Sequence, residues 1–228
     1  MRTLHIQTQY VPNAFSSVLY STGNTTVLCA ATITDTLPAW VRPEEHGWLT
    51  AEYSMLPAAT LYRKNRNRLK VDFRNVEIER FIARSLRGGI DLKKIRGKQI
   101  IIDCDVLNAD GSTRTASVSG GYIALSLLVK KAIKEEILKV NPLISMIAAV
   151  SVGKSKKGKI ITDLNYREDA TAIVDMNVVM NDKGNYIEVQ GTAENGDFSN
   201  EDLQVILGRA NEDILFIFKK QKEAIDSA

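Results

Sequence analysis

The sequence feature that most constrains the fold is a change at Asn75 in the spacing of the apolar residues along the chain. Before it, short β-branched and apolar runs occur at residues 15–21 and 25–34, with the turn-forming Thr22-Gly23-Asn24 between them. This pattern predicts a pair of strands joined by a tight turn. After it, apolar residues recur at helical spacing, namely at Val76, Ile78, Phe81, Ile82, Leu86 and Ile90. This spacing predicts a helix over residues 75–90, which Gly88-Gly89 end or weaken.

Further elements follow the same two patterns. Apolar runs with strand character occur at residues 47–53, 99–107, 145–152, 171–180 and 185–192. Helices are predicted from Ser112 or Thr113 to about Leu138, and from an N-cap at Ser199 to about Ala224. The order strands, helix, strand, helix, strands, helix predicts an α+β (mixed α/β) fold in one domain, with mixed sheets and helices packed on one face.

Composition narrows the class of protein without identifying it. The chain has 228 residues, is 44% hydrophobic and 25% charged, and has a net charge of +3, which fits a globular domain with a sizeable core. Cys29 and Cys104 lie in apolar runs without a CxxC motif, so we expect reduced, buried thiols and a reducing cytosol. The N-terminus lacks the apolar segment of a signal peptide, and we expect no membrane span because no apolar run reaches about 18 residues.

A turn of small residues leads directly into the second predicted helix at Gly111-Ser112-Thr113-Arg114. The first amides of a helix have no internal partner, so together with the helix dipole they form a site for an anion such as phosphate. The hydroxyl of Thr113 adds a donor, and the guanidinium of Arg114 can hold phosphate with two hydrogen bonds. The alternative is an ordinary helix N-cap followed by a surface arginine.

A basic stretch covers residues 63–74. It contains six cationic residues and a single acid, Asp72. A polyanion such as RNA or DNA would bind such a loop by releasing counter-ions. Tyr62 and Phe73 flank the stretch and could stack on bases. The alternative is a charged loop exposed to solvent. The cations are Arg63, Lys64, Arg66, Arg68, Lys70 and Arg74.

Two acids, Asp169 and Asp175, lie at the start of a predicted strand. Fully extended, they would be about 20 Å apart, so residues 169–172 must turn if both acids serve one site. Asp175 is flanked by the apolar Val174 and Met176, and alternation puts it on the opposite side of the strand from them. A carboxylate in that position needs a partner, a hydrogen-bond network or a metal such as Mg²⁺. The alternative is a position that faces solvent.

These constellations, taken together and in this order, resemble the RNase PH family. The specific stretches are GWLTAEYSMLP (47–57), EIERFIARSLR (77–87), IDCDVLNADGSTRTASVSG (102–120), YREDATAIVDMNVVM (166–180), EVQGTAE (188–194) and FSNEDLQVILGRA (198–210). The resemblance covers essentially the whole chain. It implies a single RNase PH domain over residues 1–228 with the ribosomal-protein-S5-domain-2-like fold. It also implies a cytoplasmic homo-hexamer built as a trimer of dimers.

The activity that the resemblance implies is phosphorolysis of RNA. Inorganic phosphate attacks the last phosphodiester at the 3′ end of a transfer RNA precursor and releases a nucleoside 5′-diphosphate, reversibly. Carried over by position, the family's functional residues fall into three groups. The phosphate-binding group is Arg74, Gly111, Ser112, Thr113 and Arg114; the RNA-binding group is Arg63 and Arg66; the catalytic, Mg²⁺-holding group is Asp169 and Asp175.

Two alternatives to an active phosphorolytic enzyme remain at this point. One is a catalytically weak ring subunit or RNA-binding scaffold; the chain opens later than the family usually does, and Phe73 stands where glycine is common. The other is hydrolysis, in which an anion site would have no role. A further departure is Ser112, also where glycine is common, because serine suits that position only if φ need not be positive.

Overall fold

The computed structural model describes residues 1–66, 72–193 and 196–228. Its elements in chain order are β1 (Leu4–Thr8), β2 (Ser16–Thr22), β3 (Thr25–Thr34), β4 (Trp48–Met55), α1 (Phe73–Arg87), a 3₁₀ turn (Leu92–Ile95), β5 (Gln99–Asn108), α2 (Thr113–Lys134), β6 (Ile147–Ser155), β7 (Ile160–Thr162), α3 (Tyr166–Asp169), β8 (Ala172–Asn181), β9 (Tyr186–Ala193) and α4 (Asn200–Asp226). The fold is therefore mixed α+β, as the sequence predicts.

The strands form two sheets. The first sheet has the order β1-β2-β3-β5-β4; its neighbours are antiparallel except β4, which runs parallel to β5 and reaches it through α1. The second sheet has the order β7-β6-β8-β9 and is antiparallel throughout. Parallel pairing of β4 and β5 requires a crossover, and the helical segment found after Asn75 supplies it.

Helix α2 lies between the two sheets, in contact with β2 and β3 of the first and β6 of the second. Helix α1 packs on the first sheet beside α2, and α4 packs on the second sheet. By length and composition α2 could cross a membrane, contrary to the expectation from its sequence, but 83% of its apolar stretch is buried inside the protein. It is the central core helix, and its N-terminus points to where the two sheets meet.

Each sheet has its own hydrophobic cluster. The first joins inner-face residues such as Val27 and Ile102 to α1 and α2 through Phe81 and Ile123. The second joins β6 and β8 to α4, and includes Val150, Val174, Met176, Val178, Ile206 and Ile214. Alternation along β8 turns Val174, Met176 and Val178 toward α4, as predicted, so Asp175 and Asn177 face the opposite side of the sheet.

The predicted elements are confirmed, with shifts at their ends that have local causes. Helix α1 begins at Phe73 because the carboxylate of Asp72 accepts from the amides of Arg74 and Asn75. Helix α2 ends at Lys134 rather than near Leu138, and Glu136 two residues later has a positive φ of 59°.

Four short elements of the described residues lie outside the predicted set. They are β1, the 3₁₀ turn, β7 and α3, which have five, four, three and four residues. Strand β1 is a half-exposed edge strand with a weak apolar pattern, and α3 is a single turn formed by the capping box of Asn165 and Glu168. Elements this short carry little periodicity from which a sequence could predict them.

Candidate active site

A cleft of about 470 Å³ opens where the N-terminus of α2 faces the inner side of the second sheet. Its walls come from the end of β4, the start of α1, the turn before α2, helix α3 and strand β8. Seven of the predicted site residues line it: Arg74, Gly111, Ser112, Thr113, Arg114, Asp169 and Asp175. The structure thus brings predicted residues from both sheets together in one cleft, and their roles stay predictions.

The turn before α2 packs against the segment that precedes α3. Gly111 has a φ of +75°, and a Cβ there would lie only 2.2 Å from the carbonyl oxygen of Leu164. A side chain at this position would therefore force the two segments apart. This close approach brings the start of α2 beside α3 and its acid.

Ser112 adopts the positive φ, +55°, that favours glycine. Its hydroxyl lies 2.6 Å from the hydroxyl of Ser151 and donates to the carbonyl of Leu164 at 2.9 Å. These contacts fix the strained turn and direct the side chain away from the amides of α2. The first amides of the helix therefore remain available to an anion in the cleft.

Thr113 is the first residue of α2 and is half-buried. Its hydroxyl oxygen accepts a 2.8 Å hydrogen bond from the phenol of Tyr53. Burial raises the pKa of Tyr53 to about 12, against the hydrogen bond to Thr113 and the positive charge of Arg74, which lower it. The phenol stays protonated at neutral pH and acts as a donor to Thr113.

Arg114 extends from α2 between α1 and β9. Its Nη1 atom lies 3.2 Å from Oε1 of Glu77 and 3.2 Å from Oε1 of Gln190. Its guanidinium carbon is 6.0 Å from the centre of the Phe81 ring, and 23% of the side chain is exposed. The guanidinium is thus held at the edge of the cleft with other donors left for an anion.

Arg74, the second residue of α1, lines the cleft and is largely exposed. Its amide donates to the N-capping carboxylate of Asp72 at 3.1 Å. Because the start of α1 is fixed by this cap, the side chain of Arg74 emerges next to the first turn of α2. Helix α1 therefore presents a cationic side chain to the same space into which α2 directs its uncapped first amides.

Asp169 and Asp175 line the cleft from the second sheet. Helix α3 ends at Asp169, Ala170 keeps a helical backbone, and β8 starts at Ala172. The prediction that residues 169–172 must turn is confirmed, and the turn is what lets both acids reach one cleft. Asp175 is half-buried and is paired across the sheet with Gly153 and Thr192.

Arg2 and Asp163 hold the two loops of the cleft together. Arg2 donates to the carboxylate of Asp163 through its backbone amide at 3.1 Å, Nε at 3.0 Å and Nη2 at 2.7 Å. Its Nη1 donates to the carbonyl of Asp110 at 2.6 Å. The carboxylate of Asp110 in turn accepts from the amide of Tyr166 at 3.1 Å. The turn before α2 and the segment leading into α3 are therefore braced as one unit.

Two predicted RNA-binding residues lie outside the cleft lining. Arg63 and Arg66 are exposed on the loop after β4, where Arg63 donates to the side chain of Asn65 at 3.0 Å. The flanking rings of Tyr62 and Phe73 are 84% and 83% exposed. Arg68 and Lys70 of the same basic stretch lie outside the described residues.

Further residues of the cleft lie outside the three predicted site groups, among them Lys64, Ser151, Tyr166 and Asn177. Lys64 belongs to the predicted basic stretch, and alternation along β8 puts Asn177 on the strand face of Asp175. Ser151 and Tyr166 carried no such signal.

The acids of the cleft suit a hard cation that keeps water ligands. Among residues 1–66, 72–193 and 196–228, no three His, Cys, Asp or Glu side chains come together as a metal site. Mg²⁺, however, commonly uses only one or two carboxylates and completes its shell with water and substrate phosphates. Two aspartates beside an anion-binding helix N-terminus match that requirement.

Comparison with known proteins gives matches over almost the whole chain. Residues 1–131 match domain 1 of the 3′ exoribonuclease family, and residues 145–211 match domain 2 of that family. Ribonuclease PH of Bacillus subtilis is 44% identical over 227 residues, which cover 99% of this chain and 93% of that protein. Ribonuclease PH of Halalkalibacterium halodurans is 46% identical, with coverage of 99% and 88%. The expectation that residues 1–228 form a single domain stays a prediction.

Solved structures match the fold at low sequence identity. Rice (Oryza sativa) Rrp46 has a TM-score of 0.79 at 17% identity, with 99% of this chain and 95% of that one covered. The Archaeoglobus fulgidus exosome, solved with RNA bound to its active site, has a TM-score of 0.80 at 16% identity, with coverage of 96% and 88%. The two-sheet arrangement around α2 is thus a recurrent architecture.

Proposed function

The chain belongs to the 3′ exoribonuclease family of ribonuclease PH, and from that premise we propose that its cleft cleaves transfer RNA precursors with inorganic phosphate as the attacking group. The protein is a phosphorolytic 3′→5′ exoribonuclease of transfer RNA processing, and hence a nucleotidyltransferase. The observation that carries the proposal for the cleft is the convergence of Arg74, Thr113 and Arg114 with Asp169 and Asp175 in one space.

Phosphate binds at the start of α2. The free amides of the first turn, the hydroxyl of Thr113 and the guanidinium groups of Arg74 and Arg114 all donate to its oxygens. Phosphate is a weak nucleophile, so its orientation and the neutralisation of its charge are the main contributions that these groups make to catalysis. Glu77 and Gln190 hold Arg114 in place for this role.

In the reaction, a phosphate oxygen forms a bond to the phosphorus of the last phosphodiester. The bond from that phosphorus to the 3′ oxygen of the preceding nucleotide breaks, and this oxygen leaves with the bonding electrons and takes up a proton. The products are a nucleoside 5′-diphosphate and an RNA one nucleotide shorter with a free 3′ hydroxyl. Because the phosphodiester bond that breaks is replaced by the phosphoanhydride bond of the diphosphate, and no bond is lost to water, the reaction is reversible.

Asp169 and Asp175 would hold Mg²⁺ on the side of the cleft opposite the phosphate site. When bound, the ion would stabilise the charge that develops on the leaving oxygen. The two carboxylates also repel phosphate from their own side of the cleft, which favours its binding at the start of α2. Asp175 is fixed by the strand that carries it, whereas Asp169 depends on the capping box of α3.

Precursor RNA approaches over the basic loop after β4. Arg63 and Arg66 would contact its phosphates outside the cleft, and Lys64, which lines the cleft, would guide the strand inward. We also propose the homo-hexamer, built as a trimer of dimers, and the cytoplasmic location that the family resemblance implies. Two buried free cysteines, Cys29 and Cys104, are consistent with a reducing compartment.

The test is to incubate the protein with a transfer RNA carrying a short 3′ extension and Mg²⁺, with and without inorganic phosphate. We expect shortening only with phosphate, and extension of the RNA when nucleoside diphosphates are supplied instead. Binding of RNA without shortening in either mixture would indicate a scaffold. Shortening that does not depend on phosphate would indicate hydrolysis. Gel filtration with light scattering tests the hexamer separately.

A further inference from the structure

Tyr53 is a buried polar residue that touches the phosphate site from behind. It lies on β4, is 2% exposed, and its phenol donates to the hydroxyl oxygen of Thr113 at 2.8 Å. Along β4 it pairs with Cys104 of β5, and its neighbour Ser54 faces the outer side of the sheet. The ring therefore points inward, toward the first turn of α2, and its hydroxyl ends beneath the cleft.

This hydrogen bond determines what Thr113 can do with its own proton. A threonine hydroxyl has a single proton to donate, and at Thr113 the oxygen already accepts from Tyr53. In the middle of a helix, such a proton usually goes to a carbonyl one turn earlier. Thr113 is the first residue of α2 and has no preceding helical turn, so its proton is left for an acceptor in the cleft.

The environment of Tyr53 keeps this arrangement fixed. The backbone amide of Tyr53 lies 3.4 Å from Oε1 of Glu79 on α1, which ties the strand to the helix that carries Arg74. With a pKa raised by burial to about 12, the phenol does not lose its proton in the working range of pH. Tyr53 is thus a constant donor to Thr113.

We propose that Tyr53 is a positioning residue that orients the hydroxyl of Thr113 as a donor to inorganic phosphate, and so sets the affinity for phosphate but not for RNA. This inference rests on the proposed function of the cleft. It adds a residue on the first sheet, 60 positions before Thr113, that acts on the anion through another side chain.

The first test is Tyr53→Phe, which removes one oxygen atom and keeps the ring. The KM for phosphate should rise about fivefold, the effect of one hydrogen bond, while the KM for RNA and kcat at saturating phosphate change less than about twofold. The control is Tyr122→Phe, which removes the hydroxyl of a second buried tyrosine, this one on α2. It should change neither of the two KM values nor kcat. An unchanged phosphate KM in Tyr53→Phe, or an equal rise in the KM for RNA, would overturn the inference.

The second test asks whether Tyr53 acts through Thr113. Thr113→Val removes the hydroxyl at similar volume and should itself weaken phosphate binding. Adding Tyr53→Phe to Thr113→Val should then raise the phosphate KM no further, because the group that Tyr53 orients is gone. If the two effects multiply instead, Tyr53 contributes by another route and the inference is wrong.

The third measurement does not require turnover. Isothermal titration of the full chain with inorganic phosphate alone should show the same fivefold weakening in Tyr53→Phe. If the wild-type chain binds phosphate but releases no diphosphate from RNA, the proposed function fails while this titration still decides the role of Tyr53.

Should Tyr53→Phe not fold, the pH profile of the wild-type chain can still contradict the proposal. Phosphate binding should stay level from about pH 8 to pH 9.5, where phosphate remains a dianion and the phenol remains protonated. A fall in affinity across that interval, coupled to loss of one proton, would contradict a constant donor role for Tyr53.

Discussion

The two halves of the molecule each contribute a sheet to the cleft but deliver opposite charges to it. The first, residues 1–131, places Arg74, Thr113 and Arg114 on the first turns of α1 and α2. The second, from residue 145 onward, places Asp169 and Asp175 at the end of α3 and on β8. Each half has its own sheet, five-stranded in the first and four-stranded in the second. The hydrogen-bond donors for an anion therefore come from the first half of the chain, and the acids of the cleft come from the second half.

This separation supports the proposal that the cleft holds two ions of opposite charge at once. Donors on a helix N-terminus favour phosphate, and carboxylates on the facing sheet favour a cation. If both kinds of group came from one surface, they would neutralise each other as ion pairs. A rigid core helix between two sheets keeps them apart at a fixed spacing, so a substrate phosphate can lie between them.

The largest expected effect comes from removing an acid of the second half. Asp175→Asn should lower kcat by about 10³-fold, because stabilisation of the leaving oxygen is worth several kcal/mol. Phosphate binding by titration should persist, since its donors belong to the first half. Asp197→Asn, an exposed acid of the same half, is the matched control. Loss of phosphate binding in Asp175→Asn would show that phosphate binding is not confined to residues of the first half.

The next effect concerns the contact that joins the halves. Arg2→Ala leaves the carboxylate of Asp163, only 4% exposed, without its cation, and should lower the free energy of unfolding by about 3 kcal/mol. Urea titration measures this change. Arg42→Ala, which breaks the exposed pair with Glu45, should cost less than about 1 kcal/mol. Equal losses in the two variants would mean that Arg2 does not brace the halves.

A smaller effect is expected on the phosphate side. Arg114→Lys keeps the charge but loses the planar guanidinium, so the KM for phosphate should rise about tenfold. The affinity for RNA should change little, and steady-state kinetics with each substrate varied in turn separates the two. Arg209→Lys, at an exposed pair with Glu212 on α4, serves as the control. A tenfold rise in the KM for RNA, with no change in the KM for phosphate, would show that Arg114 binds RNA rather than phosphate.

The smallest effect tests whether acids of the first half take any part in catalysis. Asp103, on the outer side of β5, has a pKa raised by burial and by the charges of Glu52 and Asp105. A raised carboxyl pKa means stability that is present at low pH and is lost as pH rises from the ordinary carboxyl range through the raised pKa. Asp103→Asn should therefore raise Tm by about 1–2 °C at pH 7, the half-exposed site being screened by solvent, and not at pH 3.

Activity supplies the other half of that test. Turnover of Asp103→Asn at pH 7 should equal that of the wild-type chain, because the carboxylate lies on the outer side of the first sheet. A large loss of turnover without a loss of Tm would assign this acid a role in the reaction. The division of charge between the halves would then need revision.

Sequence reasoning found the residues whose chemistry conflicts with their local pattern. Asp175 was visible because a carboxylate interrupts an apolar strand, and Thr113 and Arg114 because a turn of small residues opens directly into a helix. Alternation along β8 also gave the side of the strand that Asp175 faces. The positive φ of Ser112 was not accessible, since it depends on hydrogen bonds to Ser151 and Leu164, some 39 and 52 residues away.

Residues whose role depends on distant partners could not be predicted. Arg2 looks like any terminal cation until Asp163, 161 residues later, comes beside it. Tyr53 reads as one more aromatic in a strand, and only the packing of β4 against α2 joins it to Thr113. Local pattern gives the elements and the isolated charges, whereas tertiary contacts decide which of them share a site.

The most direct test of the central claim uses inorganic phosphate labelled with ¹⁸O in the reaction with a 3′-extended transfer RNA. If phosphate held by the first half attacks the RNA, mass spectrometry will find the label in the β-phosphate of the released nucleoside diphosphate. Release of unlabelled nucleoside monophosphate, carrying an oxygen from water, would contradict it.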